Sequence, residues 1–179
     1  MNTNKLQVFV FAMLFVVGAF TGCVDEDDDD KTTTDNTIKI GFLNPITGPL
    51  EPDAPGFKWG ADQAISDLAK MYPNETFELV ELDSGCSGDV AGPAAQTLVD
   101  SGVVAVVGAA CSGASMSANA VLAAAGIPMI SYASTNPGLS DEAKYPHFYR
   151  NVPSDAIQGP AGAATVSYTH LKLPTMIGV

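Results

Sequence analysis

The sequence predicts an α/β fold built on a doubly wound parallel sheet. Short apolar runs alternate with longer segments of helical periodicity, in the order strand, helix, strand, helix, strand, helix, strand. Residues 103–108 form a continuous, valine-rich run, as expected of a strand that is covered on both faces. Successive βαβ units of this kind make right-handed crossovers and therefore a parallel sheet.

The first strand and helix follow a polar segment. Residues 38–43 are apolar and bounded by turn residues, which indicates a strand. Proline and glycine mark residues 44–49 as a loop. A helix is predicted from Gly56 to Met71, because apolar and small residues recur on one face. That predicted buried face consists of Phe57, Gly60, Ala61, Ala64, Ile65 and Leu68.

The remaining elements repeat this alternation. Residues 77–82 alternate in polarity and predict a second strand, and residues 90–101 predict a second helix. After the valine-rich strand, the alanine-rich segment 112–125 lacks proline and predicts a third helix, which a glycine and a proline end. Residues 128–132 predict a fourth strand.

The predicted topology gathers four loops on one rim. Ligands of parallel α/β sheets bind beyond the carboxyl ends of the strands. The loops at those ends are residues 43–49, 83–88, 108–113 and 132–137. Because every motif of functional interest falls in them, we predict the binding site on this rim.

Two of these loops carry hydroxyl side chains. Ser112 stands at the predicted start of the third helix, where free N–H groups and a partial positive charge suit a carboxylate or phosphate. The alternative is that Ser112 only caps its own helix. Ser134 and Thr135 offer hydroxyls for an ammonium and for the other side of a carboxylate, although such loops are usually only turns.

The composition is acidic, with a formal net charge of −12. Phosphate binding requires clustered Lys and Arg, so we predict no nucleic-acid partner. Six of the 20 carboxylates form one run, residues 25–30, which is typical of a solvated, disordered spacer. We interpret residues 24–36 as an acidic linker.

An export signal is predicted before this linker. Lys5 supplies a positive charge, and residues 6–20 are almost continuously apolar. That length is short of the roughly 20 residues that span a bilayer and suits a signal-peptide core. Residues 20–23, Phe-Thr-Gly-Cys, resemble a lipobox with Phe where Leu is usual. We predict a lipoprotein signal peptide over residues 1–23 and lipidation of Cys23 at the outer face of the cytoplasmic membrane; the alternative is an ordinary signal or a short anchor helix.

Three cysteines are an odd number for an exported protein. With Cys23 lipidated, Cys86 and Cys111 remain as a pair in an oxidising compartment. Closing a loop of that length would stabilise the fold by about 3 kcal/mol. The alternative is two buried free thiols.

Residues 166–179 are predicted to be foreign to the natural protein. The DNA string GTC-TCT-TAT-ACA-CAT-CT translates to residues 166–171 and resembles the transposase end sequence that is ligated to fragments during library preparation. We exclude this adapter-derived tail from the fold and expect the natural gene product to be longer. The alternative is a genuine short strand over residues 175–179.

The sequence argues against an enzyme, and we predict no catalytic residue, metal ligand or cofactor. Residues 108–115 superficially match the phosphate-binding loop G-x-x-x-x-G-K-S, but Ala114 stands where the lysine must be. Cys111 as a nucleophile would need a histidine base, and the spacing recommends neither His147 nor His170.

A series of motifs runs from Ile38 to Ala164. They are residues 38–43 with Ile46-Thr47-Gly48-Pro49, Cys86 and Cys111 at a spacing of 25, and residues 108–112, 131–136, 150–155 and 158–160. In sequence and order these motifs resemble the leucine/isoleucine/valine-binding family of type I periplasmic binding proteins.

The resemblance implies roles for particular residues. Cys86 and Cys111 would form a disulfide. The position of Ser112 binds the ligand α-carboxylate through its hydroxyl and N–H, and the positions of Ala133 and Thr135 bind the head group through a carbonyl and a hydroxyl. Asp53 falls where relatives often present an aromatic residue. We hypothesise from this a ligand that carries extra positive charge or that differs from leucine; the alternative is a loop that faces solvent.

The resemblance also implies a two-lobed organisation. Residues 37–150 would form the N-terminal ligand-binding lobe and residues 151–165 the start of a largely missing second lobe, with a helix beginning near Asp155. The implied protein binds a branched-chain-like amino acid or a related small amine or amide and delivers it to the permease of an ABC importer. The alternative is an extracellular sensory domain of the same fold. A transmembrane helix after the second lobe would favour sensing, whereas the lipobox favours import.

Overall fold

A computed structural model describes residues 37–172 of the protein. The predicted signal peptide, Cys23 and the acidic linker lie outside these residues, as does the alternative strand 175–179. No helix among residues 37–172 is both long enough and apolar enough to cross a bilayer.

The centre of the fold is a five-stranded parallel sheet. Its strands are β1 (Thr37–Asn44), β2 (Thr76–Asp83), β3 (Ala105–Gly108), β4 (Met129–Ser131) and β5 (Phe148–Arg150). They are ordered β2-β1-β3-β4-β5, and every neighbouring pair is parallel. The predicted doubly wound α/β fold is confirmed. The strand order reverses at β1, so the crevice between the ends of β1 and β3 is the switch point where such sheets bind ligands.

Helices connect the strands as the apolar periodicity predicts. They are α1 (Ala54–Met71), α2 (Gly88–Asp100), α3 (Ser112–Ala124) and α4 (Gln158–Lys172), with short 3₁₀ helices at Glu51–Asp53, Pro137–Ser140 and Asp155–Ile157. The boundaries of α1 to α3 agree with the predicted ones within about two residues, the scatter expected at helix ends. The fifth strand was not predicted.

The core lies between the sheet and the pair α2–α3. Alternate strand residues, including Leu43, Val106 and Met129, point to this side and are buried. They meet alanine and leucine side chains of the two helices, such as Leu98 and Leu122. Small residues let the helices lie close to each other and to the sheet, which fixes the start of α3 at the rim.

The opposite face of the sheet is only partly covered. Helix α1 lies over β1 and β2 and leaves a pocket of about 570 Å³ against Phe42 and Val107. The predicted apolar face of α1 is therefore less buried than expected, since Phe57 is half-buried and Gly60 is exposed. Cover on both faces of residues 103–108 is also not observed. No described helix packs on that side of β3 to β5, and Ile130 and Tyr149 are exposed there.

Helix α4 begins at Gln158, three residues after Asp155, near which a helix was predicted to begin. Its N-terminal side is a 3₁₀ turn at Asp155–Ile157 in which Ser154 accepts a hydrogen bond from the Ala156 N–H. All described side chains from Gln158 to Tyr168 are exposed. The predicted adapter-derived tail starts within this helix, which continues without a break through residue 166 to Lys172.

Candidate functional site

Three strand-end loops meet at the switch point. A disulfide joins Cys86, after β2, to Cys111, after β3, with their Cα atoms 5.1 Å apart. This spacing is normal for a disulfide, and the predicted pairing is confirmed. The link fixes the start of α3 against the neighbouring loop.

Ser112 is the first residue of α3, and its side chain faces the loop after β4. The N-cap position is Cys111, which makes no side-chain capping bond. The Ser112 hydroxyl instead accepts a hydrogen bond from the Asn136 N–H at 3.2 Å. Ser112 therefore joins two loops of the rim and does not serve only as a cap for its own helix.

Thr135 is half-buried in the loop after β4 and is bonded to the segment that leaves the lobe. Its hydroxyl donates to the Asp155 carboxylate at 2.8 Å. Its carbonyl accepts from the Asp155 N–H at 2.9 Å. Sequence reasoning used Asp155 only to mark a helix start. The residue's place in the motif 150–155 was the signal that it belongs to the rim.

Ser134 lies beneath the rim and not on it. Its side chain is completely buried. Its hydroxyl is 2.8 Å from that of Ser115 and 3.1 Å from the carbonyl oxygens of Ala109 and Ala110. The Ser131 hydroxyl bonds the same Ala109 carbonyl and receives the Ser134 N–H. In this structure the Ser134 hydroxyl holds the loops after β3 and β4 together, and its contact with a ligand stays a prediction.

Ala133 and Asp53 differ in how they relate to this geometry. Ala133 is half-buried beside Thr135, and its N–H donates to the Ser131 hydroxyl at 3.3 Å. Asp53 ends a 3₁₀ helix before α1 and is exposed. Within the described part of the chain, no hydrogen bond or ion pair joins Asp53 to Ser112 or Thr135.

The loop after β1 is fixed by a carboxylate. Asp83 accepts hydrogen bonds from the Thr47 N–H at 3.1 Å, the Thr47 hydroxyl at 2.5 Å and the Gly85 N–H at 2.7 Å. Burial raises the pKa of Asp83, but these bonds to the charged form outweigh it, and the pKa lies below its ordinary value. The loop is thereby held against the disulfide loop.

Tyr132 supports the rim from the other side. Burial, and then the negative charge of Glu81, raises the pKa of its hydroxyl above the ordinary value. The hydroxyl stays protonated and donates to the Leu43 carbonyl at 3.3 Å. Its ring packs on Phe57 with centroids 4.9 Å apart. Among the described residues, no group of His, Cys, Asp and Glu side chains is placed to hold a metal ion.

This sheet order and the loops at its switch point define one lobe of a type I periplasmic binding protein. Residues 60–172 match the family described as receptor family ligand binding region, and the chain belongs to that family. The resemblance drawn from the motifs is thus confirmed.

The relatives include both amino-acid-binding proteins and receptors. The leucine-specific-binding protein of Salmonella typhimurium is 31% identical over 134 residues, which cover 74% of this chain and 36% of that protein. Metabotropic glutamate receptor 6 of Rattus norvegicus is 46% identical over 76 residues, which cover 42% of this chain and 8% of the receptor.

A solved structure gives the same match. The branched-chain amino acid transporter substrate binding protein LivJ of Streptococcus pneumoniae, in complex with isoleucine, has a TM-score of 0.61 and 31% identity. The match covers 66% of this chain and 34% of that structure. The chain thus spans about a third of the length of the leucine-specific-binding protein and of the LivJ structure.

Proposed function

We propose that this chain is the N-terminal lobe of a solute-binding protein that recognises the zwitterionic head group of an α-amino acid. The observation that carries the proposal is the opposite hydrogen-bond polarity of two hydroxyls on the rim, those of Ser112 and Thr135. One is left as a donor and the other as an acceptor, so together they suit a ligand with a carboxylate beside an ammonium.

Ser112 is the proposed carboxylate contact. Its oxygen already accepts the Asn136 N–H, so its own hydrogen is left to donate. The first N–H groups of α3 have no partner within the helix, and their partial positive charge adds to the attraction for an anion.

Thr135 is the proposed ammonium contact. Its hydrogen is given to Asp155, so its remaining lone pairs accept hydrogen bonds and suit a cation. The half-buried Asp155 carboxylate places a negative charge next to that oxygen, which strengthens the preference. The Ala133 carbonyl is a further acceptor at this end of the ligand.

The complete protein is proposed to have a second lobe, to which residues 151–165 lead. The observation that supports this is that the chain spans about a third of the length of its relatives. Closure of two lobes around the ligand would exclude water. By itself, this lobe is expected to bind amino acids weakly or not at all.

Import is the proposed physiological role. The relatives named as leucine-binding and as a transporter substrate-binding protein support it, together with the predicted lipidation of Cys23, which would keep an exported protein at the membrane beside its permease. No catalysis is part of this role. The second candidate is a ligand-sensing receptor domain, favoured by the 46% identity to a metabotropic glutamate receptor.

Calorimetry on the complete, ligand-free protein tests the proposal. Leucine should bind, whereas its decarboxylated analogue isoamylamine and its deaminated analogue isocaproate should bind far more weakly. Ser112→Ala and Thr135→Val should each weaken leucine binding roughly 10- to 100-fold, as expected for one hydrogen bond to a charged group. Ser66→Ala and Thr97→Val remove exposed hydroxyls on α1 and α2 and are the controls. Full affinity in both rim variants would refute the assignment.

Asp53 enters the proposal as a selector of ligand charge. It is exposed on the segment before α1, and Glu51 adds a second carboxylate nearby. If these charges face the ligand, Asp53→Asn should reduce the affinity for lysine more than that for leucine. A wild-type protein that prefers leucine to every basic amino acid would dispose of this part of the proposal.

A further inference from the structure

The side chain of Arg150 reaches from the end of β5 into the loop that carries Thr135. Its Nη1 donates to the carbonyl oxygen of Asn136 at 2.9 Å and, more weakly, to that of Ser134 at 3.4 Å. Its Nη2 donates to the hydroxyl of Ser140. The planar guanidinium thus bonds acceptors on both sides of Thr135, as a fork of fixed geometry allows.

The two carbonyl groups are linked to the proposed ligand contacts. The Ser134 carbonyl shares a peptide plane with the N–H of Thr135, so a bond to it orients that N–H. The Asn136 carbonyl belongs to the residue whose N–H holds the Ser112 hydroxyl. A single side chain therefore fixes the neighbours of both ends of the head-group site.

The acceptors of Arg150 are all neutral. Ion pairs among the described residues join Lys58 to Asp62 and Lys70 to Asp67, both on α1. The hydrogen bonds of Arg150 are given to loop carbonyls, which indicates that loop geometry is what the residue secures.

Arg150 also stands where the chain leaves this lobe. The next residue, Asn151, donates its N–H to the Ser131 carbonyl at 3.2 Å, and Asp155 forms its two bonds to Thr135. The departing segment is therefore attached to the end of β4 at its beginning and to the loop after β4 at its end.

From these contacts we infer that Arg150 is a positioning residue for the amino-acid head-group site. It acts through Ser134 and Asn136 and does not touch the ligand. The inference rests on the proposed function, because it assigns Arg150 to the site that Ser112 and Thr135 form.

The test measures leucine affinity of the complete protein by calorimetry. Arg150→Ala should weaken binding roughly 10- to 100-fold, the loss expected for charge-assisted hydrogen bonds, and millimolar methylguanidinium should restore most of the affinity. Arg150→Lys should lose nearly as much, because an ammonium does not reproduce the fork. Lys144→Met, at an exposed site away from the loop, is the control.

A double-mutant cycle separates positioning from general support. If Arg150 acts through the site, its removal should weaken binding much less in a Ser112→Ala, Thr135→Val background than in the wild type. Equal losses in both backgrounds, or no rescue by methylguanidinium, would overturn the inference. If Arg150→Ala does not fold, the same comparisons are made with Arg150→Lys.

The two proposals fail in different ways. If the wild-type protein binds no amino acid, the proposed function is refuted, and the role of Arg150 with it. Wild-type protein that binds leucine, loses affinity with Ser112→Ala and keeps it with Arg150→Ala removes only the present inference.

Discussion

Removal of the disulfide is the perturbation whose magnitude follows most directly from the structure. Cys86 and Cys111 are 25 residues apart in sequence. In the chain-entropy model, closing a loop of that length in the unfolded chain stabilises the folded state by about 3.5 kcal/mol at 25 °C. The double substitution Cys86→Ala, Cys111→Ala should therefore lower the free energy of unfolding by about that amount, which is a change of roughly 400-fold in the unfolding equilibrium.

Urea unfolding of the 179-residue chain, followed by far-UV circular dichroism, measures this difference. With a slope of about 1–3 kcal/mol per molar urea, the midpoint should fall by about 1.2–3.5 M. Chemical reduction of the unsubstituted chain should give a similar shift, because it opens the same loop without changing side-chain volume. A thiol assay on the oxidised chain should show that neither Cys86 nor Cys111 reacts. A midpoint shift near zero, with the slope unchanged, would refute the reasoning.

Three further predictions rest on single features of the lobe. Gly48→Ala should lower the free energy of unfolding by about 1 kcal/mol or more, because φ is +91° and an added Cβ would lie 2.5 Å from a backbone carbonyl oxygen of the disulfide loop. Gly56→Ala, where space is open, is the control. Equal urea midpoints for Gly48→Ala and the wild type would contradict the predicted strain. Asp83→Asn should be less stable than the wild type at neutral pH, and the two stabilities should converge in strong acid. The stabilisation that comes with the lowered pKa of Asp83 is complete above the ordinary value of 3.8 and is lost as the pH falls through the pKa of the folded state. Parallel profiles of stability against pH would contradict this. The 179-residue chain should self-associate in sedimentation velocity, because Ile130 and Tyr149 are exposed on a sheet face that no described helix covers. Ile130→Lys with Tyr149→Lys should reduce this association, and a monomeric parent chain, or association unchanged in the variant, would contradict the prediction.

The fold could be predicted from the sequence because apolar residues recur at different spacings in its strands and helices. Three segments have a pattern and a length that indicate a single type of element. Residues 77–82 alternate and the valine run before Gly108 is short, which indicates strands, whereas the alanine-rich segment 112–125 is long enough for a helix. The strand Phe148–Arg150 was missed because three residues are too few to establish a period. The uncovered sheet face was missed for another reason. Periodicity shows which side of an element is apolar, but not whether another element packs against it.

The roles of the serines could not be read from the sequence. Ser112 and Ser134 both lie in polar loops at strand ends, and nothing in their neighbours separates them. The difference arises because β4 ends at Ser131 and the turn that follows, closed by the Ser134 N–H on the Ser131 hydroxyl, brings the Ser134 hydroxyl back onto the Ala109 carbonyl. Ser112 stays on the rim because the disulfide at Cys111 fixes the start of α3. Tertiary packing therefore decides which hydroxyl is available.

The same logic explains why a few neutral hydroxyls suffice to distinguish the two ends of an amino acid. A hydroxyl in solution donates and accepts equally well, so it carries no preference for either charge. The Asn136 N–H occupies the acceptor side of Ser112, and Asp155 occupies the donor side of Thr135. Ser112 therefore keeps its hydrogen to donate, whereas Thr135 keeps only lone pairs to accept, and the proposed direction of the head group follows from this difference. Asp155→Asn should therefore weaken recognition of the ligand ammonium at Thr135 more than that of the carboxylate at Ser112. The Asn amide can donate to the Thr135 hydroxyl oxygen, and the hydroxyl hydrogen is then free to point toward the ammonium.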